Sequence, residues 1–331
     1  MTSGQSRPTR FGMIGTGWIG EATAPDFALC ESVELVAIGS RDLSHGRAFA
    51  GRWGIPDVVS IDDLLARDDL DVIYVGTPRH YELARAAIDT GHGVLVEKAF
   101  TETAAQARDL AAAASANNVF LMEAMWMSFN PAIRAIVELI SSGVIGEPRT
   151  VLASFGFPVP AGVDHRLWDP ARAGGSLLDQ GTYVISLAHL ILGMPTTVTA
   201  TGSRLGYDGN DSGVDSELGM LLGYEGGQQA ALASSIRSVL PLSASIGGAE
   251  GSIEIAEAFW SGTTYTVRRP DGSRETFTEP KEGNGYVPML RAVHEAVSSG
   301  LLEHPLQTVA ASVAVMETID KVRAQVGGSP A

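Results

Sequence analysis

Short apolar runs alternate with amphipathic stretches through the first third of the chain. Residues 10–14, 33–40, 58–59, 71–75, 93–96 and 119–123 read as strands, rich in β-branched and other apolar residues. Between them the apolar positions recur at helical spacing, from Ile19 onward and over 43–53, 61–66, 80–90 and the Ala-rich 103–117. Strands and helices alternating through short connections predict an α/β fold with a doubly wound parallel sheet and right-handed crossovers. In such a sheet, ligands bind beyond the carboxyl ends of the strands.

After Glu123 the rhythm changes. Residues 131–142 form an amphipathic helix with Ile133, Ile136, Val137 and Ile140 on one face, ending at Gly143. A strand-rich half begins at 149–157, and 176–192 reads as one long apolar helix with Ser176 as its N-cap. Further strands are expected at 198–205, 217–224, 228–237, 242–247, 252–256, 264–269 and 274–278, separated by Gly-containing turns. Several alternate polar and apolar residues, the pattern of an antiparallel sheet with one covered face. Helices at 287–299 and 307–325 close the chain. The expectation is a Rossmann-type dinucleotide-binding domain over 1–123, then an α+β substrate-binding and dimerisation domain over 124–331 with a large, open, mostly antiparallel sheet. An uncovered sheet face predicts a homodimer, or a dimer of dimers, through that sheet. The tail 327–331 reads as loose.

Composition narrows the function classes. The 331 residues are 45% hydrophobic and 18% charged, as in a globular protein with well-formed cores. No apolar run has the length of a membrane span, and the polar start 1–9 lacks a signal-peptide core. A single cysteine, Cys30, precludes an internal disulfide, and a cytoplasmic location is expected. The net charge of −15 argues against nucleic acid or an anionic membrane as partner. Seven histidines without H-x-x-x-H spacing give no zinc site, and no G-x-S-x-G offers a serine nucleophile.

The chemistry starts at R-F-G-M-I-G-T-G-W-I-G, residues 10–20. Gly15, Gly17 and Gly20 form G-x-G-x-x-G between a strand and a helix. That arrangement serves the tight turn, the approach of a pyrophosphate and close helix–strand packing. Thr16, Trp18 and Ile19 complete this cofactor-binding turn. At the end of the second strand stand Ser40 and Arg41, where a small polar residue with Arg suits the 2′-phosphate of NADP; Asp42, one residue on, keeps NAD possible. Thr77-Pro78 and Glu97-Lys98 also fall at strand ends. Lys98 can hold a substrate oxygen and lower a neighbour's pKa, although an exposed strand-end Lys is the plainer reading. In D-P-A-R-A-G-G-S-L-L-D-Q-G-T-Y, residues 169–183, Asp179 and Tyr183 are four apart and would share one α-helical face. Ser176-x-x-Asp179 is equally a capping box, and Tyr183 equally a core residue.

Gly15–Gly20, Thr77-Pro78 with His80, Glu97-Lys98, Met122-Glu123-Ala124-x-Trp126 and Gly174-Gly175-x-x-x-Asp179-x-Gly181-x-Tyr183 occur in this order. Together they resemble the Gfo/Idh/MocA oxidoreductases, in particular the branch of dimeric dihydrodiol dehydrogenase and NADP-dependent xylose dehydrogenase. The resemblance implies hydride transfer between a nicotinamide cofactor and a carbon of a sugar or diol. It implies Lys98 and Tyr183 as an acid/base pair, Asp179 as an orienting group, and Thr77, Pro78, His80, Glu97 and Lys98 on the cofactor side. Trp126, Phe155, Phe157 and Arg166 are candidate pocket walls; for each aromatic a core role is the alternative. Three departures stand out. Ala99 replaces the Pro that usually follows Glu-Lys, the Pro78–His80 loop is shorter, which leaves the nicotinamide-side role of His80 open, and Ser128 stands where this branch often has Arg. A nucleotide-sensing regulator of the same fold and an NAD-dependent inositol or polyol dehydrogenase are the rival functions.

Overall fold

The computed structural model describes residues 7–160, 165–206 and 213–327. Most of the polar start and nearly all of the expected loose tail lie outside these residues. The chain packs into two units: one of Met1–Thr101, Ala105–Phe129 and Lys281–Ser312, the other of Glu102–Ala104, Asn130–Pro280 and Val313–Ala331.

The first unit is built on six parallel strands, β1 (Thr9–Ile14), β2 (Val33–Gly39), β3 (Asp57–Val59), β4 (Val72–Val75), β5 (Gly93–Val96) and β6 (Leu121–Glu123), in the order β3-β2-β1-β4-β5-β6. Helices α1 (Trp18–Leu29), α2 (Leu43–Trp53), α3 (Ile61–Leu65), α4 (Tyr81–Asp89) and α5 (Ala104–Asn117) make the crossovers. Every residue of β4 and β5 is buried, as strands covered on both faces must be. The expected doubly wound parallel sheet is therefore present, with its strand order reversing beside β1.

The segment Lys281–Ser312 belongs here because Asp26 holds it. The buried carboxylate accepts the amides of Asn284 (2.8 Å) and Tyr286 (2.7 Å). Further along, the Thr9 hydroxyl and His294 Nδ1 lie 2.9 Å apart. Losing Asp26 would strand two polar N–H groups, at a cost of about 1–3 kcal/mol each.

The second unit carries α6 (Pro131–Ser141), β7 (Pro148–Gly156), α7 (Thr182–Leu192), β8 (Thr197–Leu205), β9 (Val214–Gly223), β10 (Gln229–Ser235), β11 (Ala244–Gly248), β12 (Gly251–Ile255), β13 (Thr264–Arg268) and β14 (Arg274–Thr278). Eight of these form a sheet in the order β14-β13-β12-β11-β7-β10-β9-β8. Only the β7–β10 pair is parallel among the described residues, so the sheet is mostly antiparallel, as expected. Burial alternates along β9 and β13, because α7 packs on β7 and β10 from one side only. The opposite face is concave and runs through Thr199, Leu221, Ala231, Leu152, Ser245, Glu254 and Thr266, which are register partners in turn. Helix α8 (Val287–Ser298) belongs to the first unit, and α9 (Val309–Gln325) lies mostly in the second.

The expected helix over 176–192 is corrected in two respects. Its first turn, Leu177–Gly181, is a π-helix rather than an α-helix, and α7 begins only at Thr182. Ser176 is not an N-cap, since it has helical dihedrals and caps nothing. Instead the Leu177 amide donates to Asp215 Oδ2 at 2.6 Å, while the Ser176 hydroxyl lies 3.2 Å from the same oxygen and 3.1 Å from Ser234 Oγ. The helix start is thus pinned by strands β9 and β10, which is tertiary information.

Candidate active site

In the first unit the glycine turn has the required geometry. Gly15 has φ +120°, and a Cβ there would fall 2.7 Å from the Gly76 carbonyl. A Cβ on Gly20 would meet Gly15 O at 2.6 Å, whereas one on Gly17 would meet nothing within 4 Å. The turn therefore packs against β4 and its own helix while leaving the Gly17 side open. No side chain caps the N-terminus of α1 at Gly17, so its N–H groups stand ready for an anion. These residues fit a dinucleotide pyrophosphate. Trp18, 82% exposed, flanks the opening; Thr16 lies between Gly15 and Gly17, and Ile19 between Trp18 and Gly20.

Beyond β2, Ser40 is buried and donates through Oγ to Asp42 O (2.7 Å), while Arg41 is exposed. Asp42 Oδ1 accepts the amides of Ser44 (2.9 Å) and His45 (3.1 Å), capping α2. Those two bonds, the one from His45 first, hold the Asp42 carboxyl below its ordinary range. With the Asp42 carboxylate committed to its own helix start and the buried Ser40 hydroxyl donated to the backbone, Arg41 is the exposed cation at the strand end.

At the ends of β4 and β5 the chain builds a tight polar cluster. Thr77 Oγ1 donates to Arg79 O (3.2 Å). His80 faces Thr77 O through Nδ1 (2.8 Å) and Ala99 O through Nε2 (2.7 Å), and its ring is buried. Glu97 Oε1 accepts the Tyr74 hydroxyl (2.7 Å), and its Oε2 accepts the amide of Lys98 (3.0 Å). Tyr74 is fully buried, and burial together with the Glu97 charge drives its phenol well above the usual range. Glu97 is buried too, so it acts on neighbouring backbone and phenol rather than on solvent.

Trp126 also lies in the first unit. Its ring is buried against Tyr286 (centroids 4.7 Å) and under Gly285, where a Cβ would come 2.8 Å from the indole. Ser128, one of the departures noted above, is buried and donates to Gln307 Oε1 at 2.7 Å.

The second unit holds five of the residues singled out in the sequence, in two groups. Asp179 Oδ1 accepts Arg166 Nη2 at 2.7 Å, in an ion pair that is only partly exposed. Asp179 therefore makes no capping box with Ser176. The Tyr183 ring is 4% exposed, with Phe155 at 5.7 Å and Trp260 at 5.9 Å. Phe155 stacks on Trp260 at 3.7 Å, and Phe157, partly exposed, lies 6.1 Å from Phe155. The π turn means that Asp179 and Tyr183 are not related by the α-helical period that their spacing suggested.

Trp260, Gln307 and Ser312 were not singled out by sequence reasoning, and Glu123 entered it only within the Met122-Glu123-Ala124-x-Trp126 motif, without a role. Trp260 sits in a short aromatic pair, Phe259-Trp260, whose only signal was its size. Glu123 closes an apolar strand, and a charged residue at an otherwise buried strand end was its signal. Nothing local marks Gln307 or Ser312. Among the described residues, no group of acidic, His or Cys side chains could hold a metal ion, and no helix is long and apolar enough to cross a membrane.

Residues 9–125 match the model of the oxidoreductase family with an NAD-binding Rossmann fold, and 133–254 match that of the GFO/IDH/MocA C-terminal domain. Trans-1,2-dihydrobenzene-1,2-diol dehydrogenase of Xenopus laevis is 34% identical, covering 96% of this chain and 98% of its own. The protein of the same name from Sus scrofa is 32% identical over 96% and 97%. A 3-ketoreductase from Actinomadura kijaniata, solved in complex with NADP and TDP-benzene, superposes with a TM-score of 0.86 at 29% identity, covering 97% of this chain and 98% of that one. An aldose–aldose oxidoreductase from Caulobacter crescentus shares the fold, with a TM-score of 0.88 at 23% identity over 97% and 98%. An open glycine turn on a parallel sheet, joined to a large one-faced sheet and matched along nearly the whole chain, places this protein in the GFO/IDH/MocA oxidoreductase family.

Proposed function

We propose that this oxidoreductase uses NADP in preference to NAD and transfers hydride to or from a hydroxyl-bearing carbon of a sugar or vicinal diol. The observation that carries the reading lies in the first unit. The uncapped start of α1, the Ser40-Arg41 pair and Lys98 all stand at carboxyl ends of strands in one parallel sheet. The names of the full-length relatives, diol dehydrogenases, supply the substrate class. The complex of the 3-ketoreductase with NADP supports the cofactor choice.

A nicotinamide cofactor, when bound, would supply the hydride acceptor or donor. The chain supplies the rest. Tyr183 takes the substrate hydroxyl proton as phenolate. A free phenol titrates near ~10, so a positive charge is needed to favour phenolate at working pH, and Lys98 is the acid/base partner that the family resemblance implies. Lys98 also stabilises charge developing on the substrate oxygen. Asp179, held by Arg166, orients a substrate hydroxyl. Phe155 and Phe157 offer apolar faces of the kind that pack on a sugar ring.

The test is nicotinamide absorbance with NADP⁺ and NAD⁺ against aldoses, inositols and vicinal diols. Turnover that prefers NADP⁺ and favours one of these classes sustains the reading. Tight cofactor binding without turnover on any of them would favour a nucleotide-sensing role instead.

The open face of the second unit's sheet supports a second proposal, self-association. It carries small residues and half-exposed Leu152 and Leu221 (49% and 48%) on the open, concave side of the sheet. A second copy of the same face would cover it isologously. Light scattering at micromolar concentration should give a dimer or a dimer of dimers, and Leu221→Arg should give monomers; a wild-type monomer removes the idea.

A further inference from the structure

We propose that His80 and Glu123 are positioning residues for Lys98, clamping the backbone of the turn that carries it. The inference rests on the proton-handling role of Lys98 proposed above.

Three consecutive residues after β5 each have one backbone group held by a side chain. The amide of Lys98 donates to Glu97 Oε2 (3.0 Å), Ala99 O accepts from His80 Nε2 (2.7 Å), and the amide of Phe100 donates to Glu123 Oε1 (3.0 Å). The three side chains come from the end of β5, the N-cap of α4 and the end of β6. Each is held in turn. Glu97 takes the Tyr74 hydroxyl, and His80 reaches Thr77 O. Glu123 Oε2 accepts from Ser312 Oγ (2.7 Å) and Gln307 Nε2 (3.2 Å), and Gln307 Oε1 accepts from Ser128. Ala99 has no ring to fix its φ, so nothing in its own covalent structure stiffens this turn. The surrounding side chains hold it instead.

The energetics point to position rather than to stability. Glu123 is 2% exposed, and burial pushes its carboxyl up to about 7; the neighbouring Glu97 charge adds to the rise, while Ser312, Phe100 and Lys98 oppose it. Two buried carboxylates on adjacent strand ends, Glu123 in register with Val96 and Glu97 between Val96 and Lys98 in the chain, are costly for a fold that needs only packing there. His80 adds to this cost. Both of its ring nitrogens face carbonyl oxygens, Thr77 O and Ala99 O, so a buried polar ring is committed to backbone groups on two segments. Expensive groups spent on three successive backbone atoms fix where the Lys98 side chain starts.

The experiment is a kinetic cycle on the full-length chain. It combines Glu123→Ala, Glu123→Gln, His80→Ala and Ser312→Ala with Lys98→Met, and adds amide hydrogen exchange over 97–101. Glu123→Ala and His80→Ala should each lower kcat by about 10- to 100-fold, with NADPH affinity changed by less than about threefold. Glu123→Gln keeps an acceptor for the Phe100 amide and should recover most of the rate. In the Lys98→Met background, Glu123→Ala should change kcat by less than about twofold, because it acts through the lost lysine. Exchange at the Phe100 amide should rise in Glu123→Ala while β4 stays protected. If Glu123→Ala does not fold, Ser312→Ala, which loosens Glu123 without removing it, should show the same pattern at smaller size. Normal kcat in the brace variants, or a full multiplicative loss in the Lys98→Met background, overturns the proposal while leaving the role of Lys98 intact. Normal turnover in Lys98→Met itself overturns both.

Discussion

Lys98 and Tyr183 are held by opposite means. Around Lys98 the first unit uses directional hydrogen bonds: the carboxylates of Glu97 and Glu123 accept the amides of Lys98 and Phe100, and the imidazole of His80 meets the carbonyl of Ala99. Around Tyr183 the second unit uses ring packing, with Phe155 and Trp260 stacked on each other beside the phenol. The first device fixes a flexible side chain by fixing the turn beneath it. The second fixes a rigid ring directly. A long ammonium stem and a two-torsion aromatic need different kinds of support, and the sequence around each reflects this.

The strongest way to break the comparison is to remove the two tips. Lys98→Met and Tyr183→Phe should each lower kcat by roughly 10²–10⁴ with NADPH binding preserved. Stopped-flow turnover and cofactor fluorescence check this, and a near-normal rate in either variant removes that residue from the chemistry. Next in size, Phe155→Ala should destabilise by about 3–5 kcal/mol, read as a lower urea midpoint, because it opens a cavity beside Tyr183 and unstacks Trp260. Glu123→Ala, by contrast, should lower kcat more than its change in stability accounts for. Equal stability losses in the two variants would erase the distinction drawn here.

Smaller effects sharpen it. Arg41→Ala should weaken NADPH by about tenfold while leaving NADH almost unchanged, as expected for loss of one charge-assisted phosphate contact. Titration of both cofactors reads this, and equal weakening would return the choice between NADP and NAD to Asp42.

The smallest effect is a pH slope at the start of the π turn. Burial pushes the Asp215 carboxyl up to about 6 from the usual 3.8, against the Leu177 amide, the Arg323 charge and Ser176. Its folded pKa lies above its unfolded one, so the folded chain keeps a proton that the unfolded chain has released. Stability from this group is therefore complete below about pH 4 and is lost as pH rises through about 6. Asp215→Asn does not titrate. The difference between wild-type and variant urea midpoints should change over that window and be flat above it; a flat difference throughout would mean that folding leaves the pKa of this carboxyl unshifted.

Legibility differed between the two units for a physical reason. In the first, Leu43–Trp53 and Gly93–Val96 form where local periodicity and punctuation placed them, and the glycine turn packs as its steric logic required. Parallel strands buried on both faces and helices with one apolar face write their periods strongly. In the second, strands such as Arg274–Thr278 were equally legible from alternation. The turn over Leu177–Gly181 was not, because an α and a π turn differ by one residue of register, and Asp215 on a distant strand holds the helix start.

By itself, then, the chain's order of residues determined the alternating α/β sheet, the one-faced second sheet, the nucleotide-binding turn and the placing of Lys98 at a strand end. These depend on nearest-neighbour dihedrals and on hydrophobic period, which act over a few residues. Only the tertiary structure decided that Asp26 ties Lys281–Ser312 to the first unit, that Asp179 pairs with Arg166, and that Ser312 and Gln307 brace Glu123. Each of those joins polar groups far apart in the chain. A buried polar group must find a partner somewhere, and no local pattern says which distant segment will supply it.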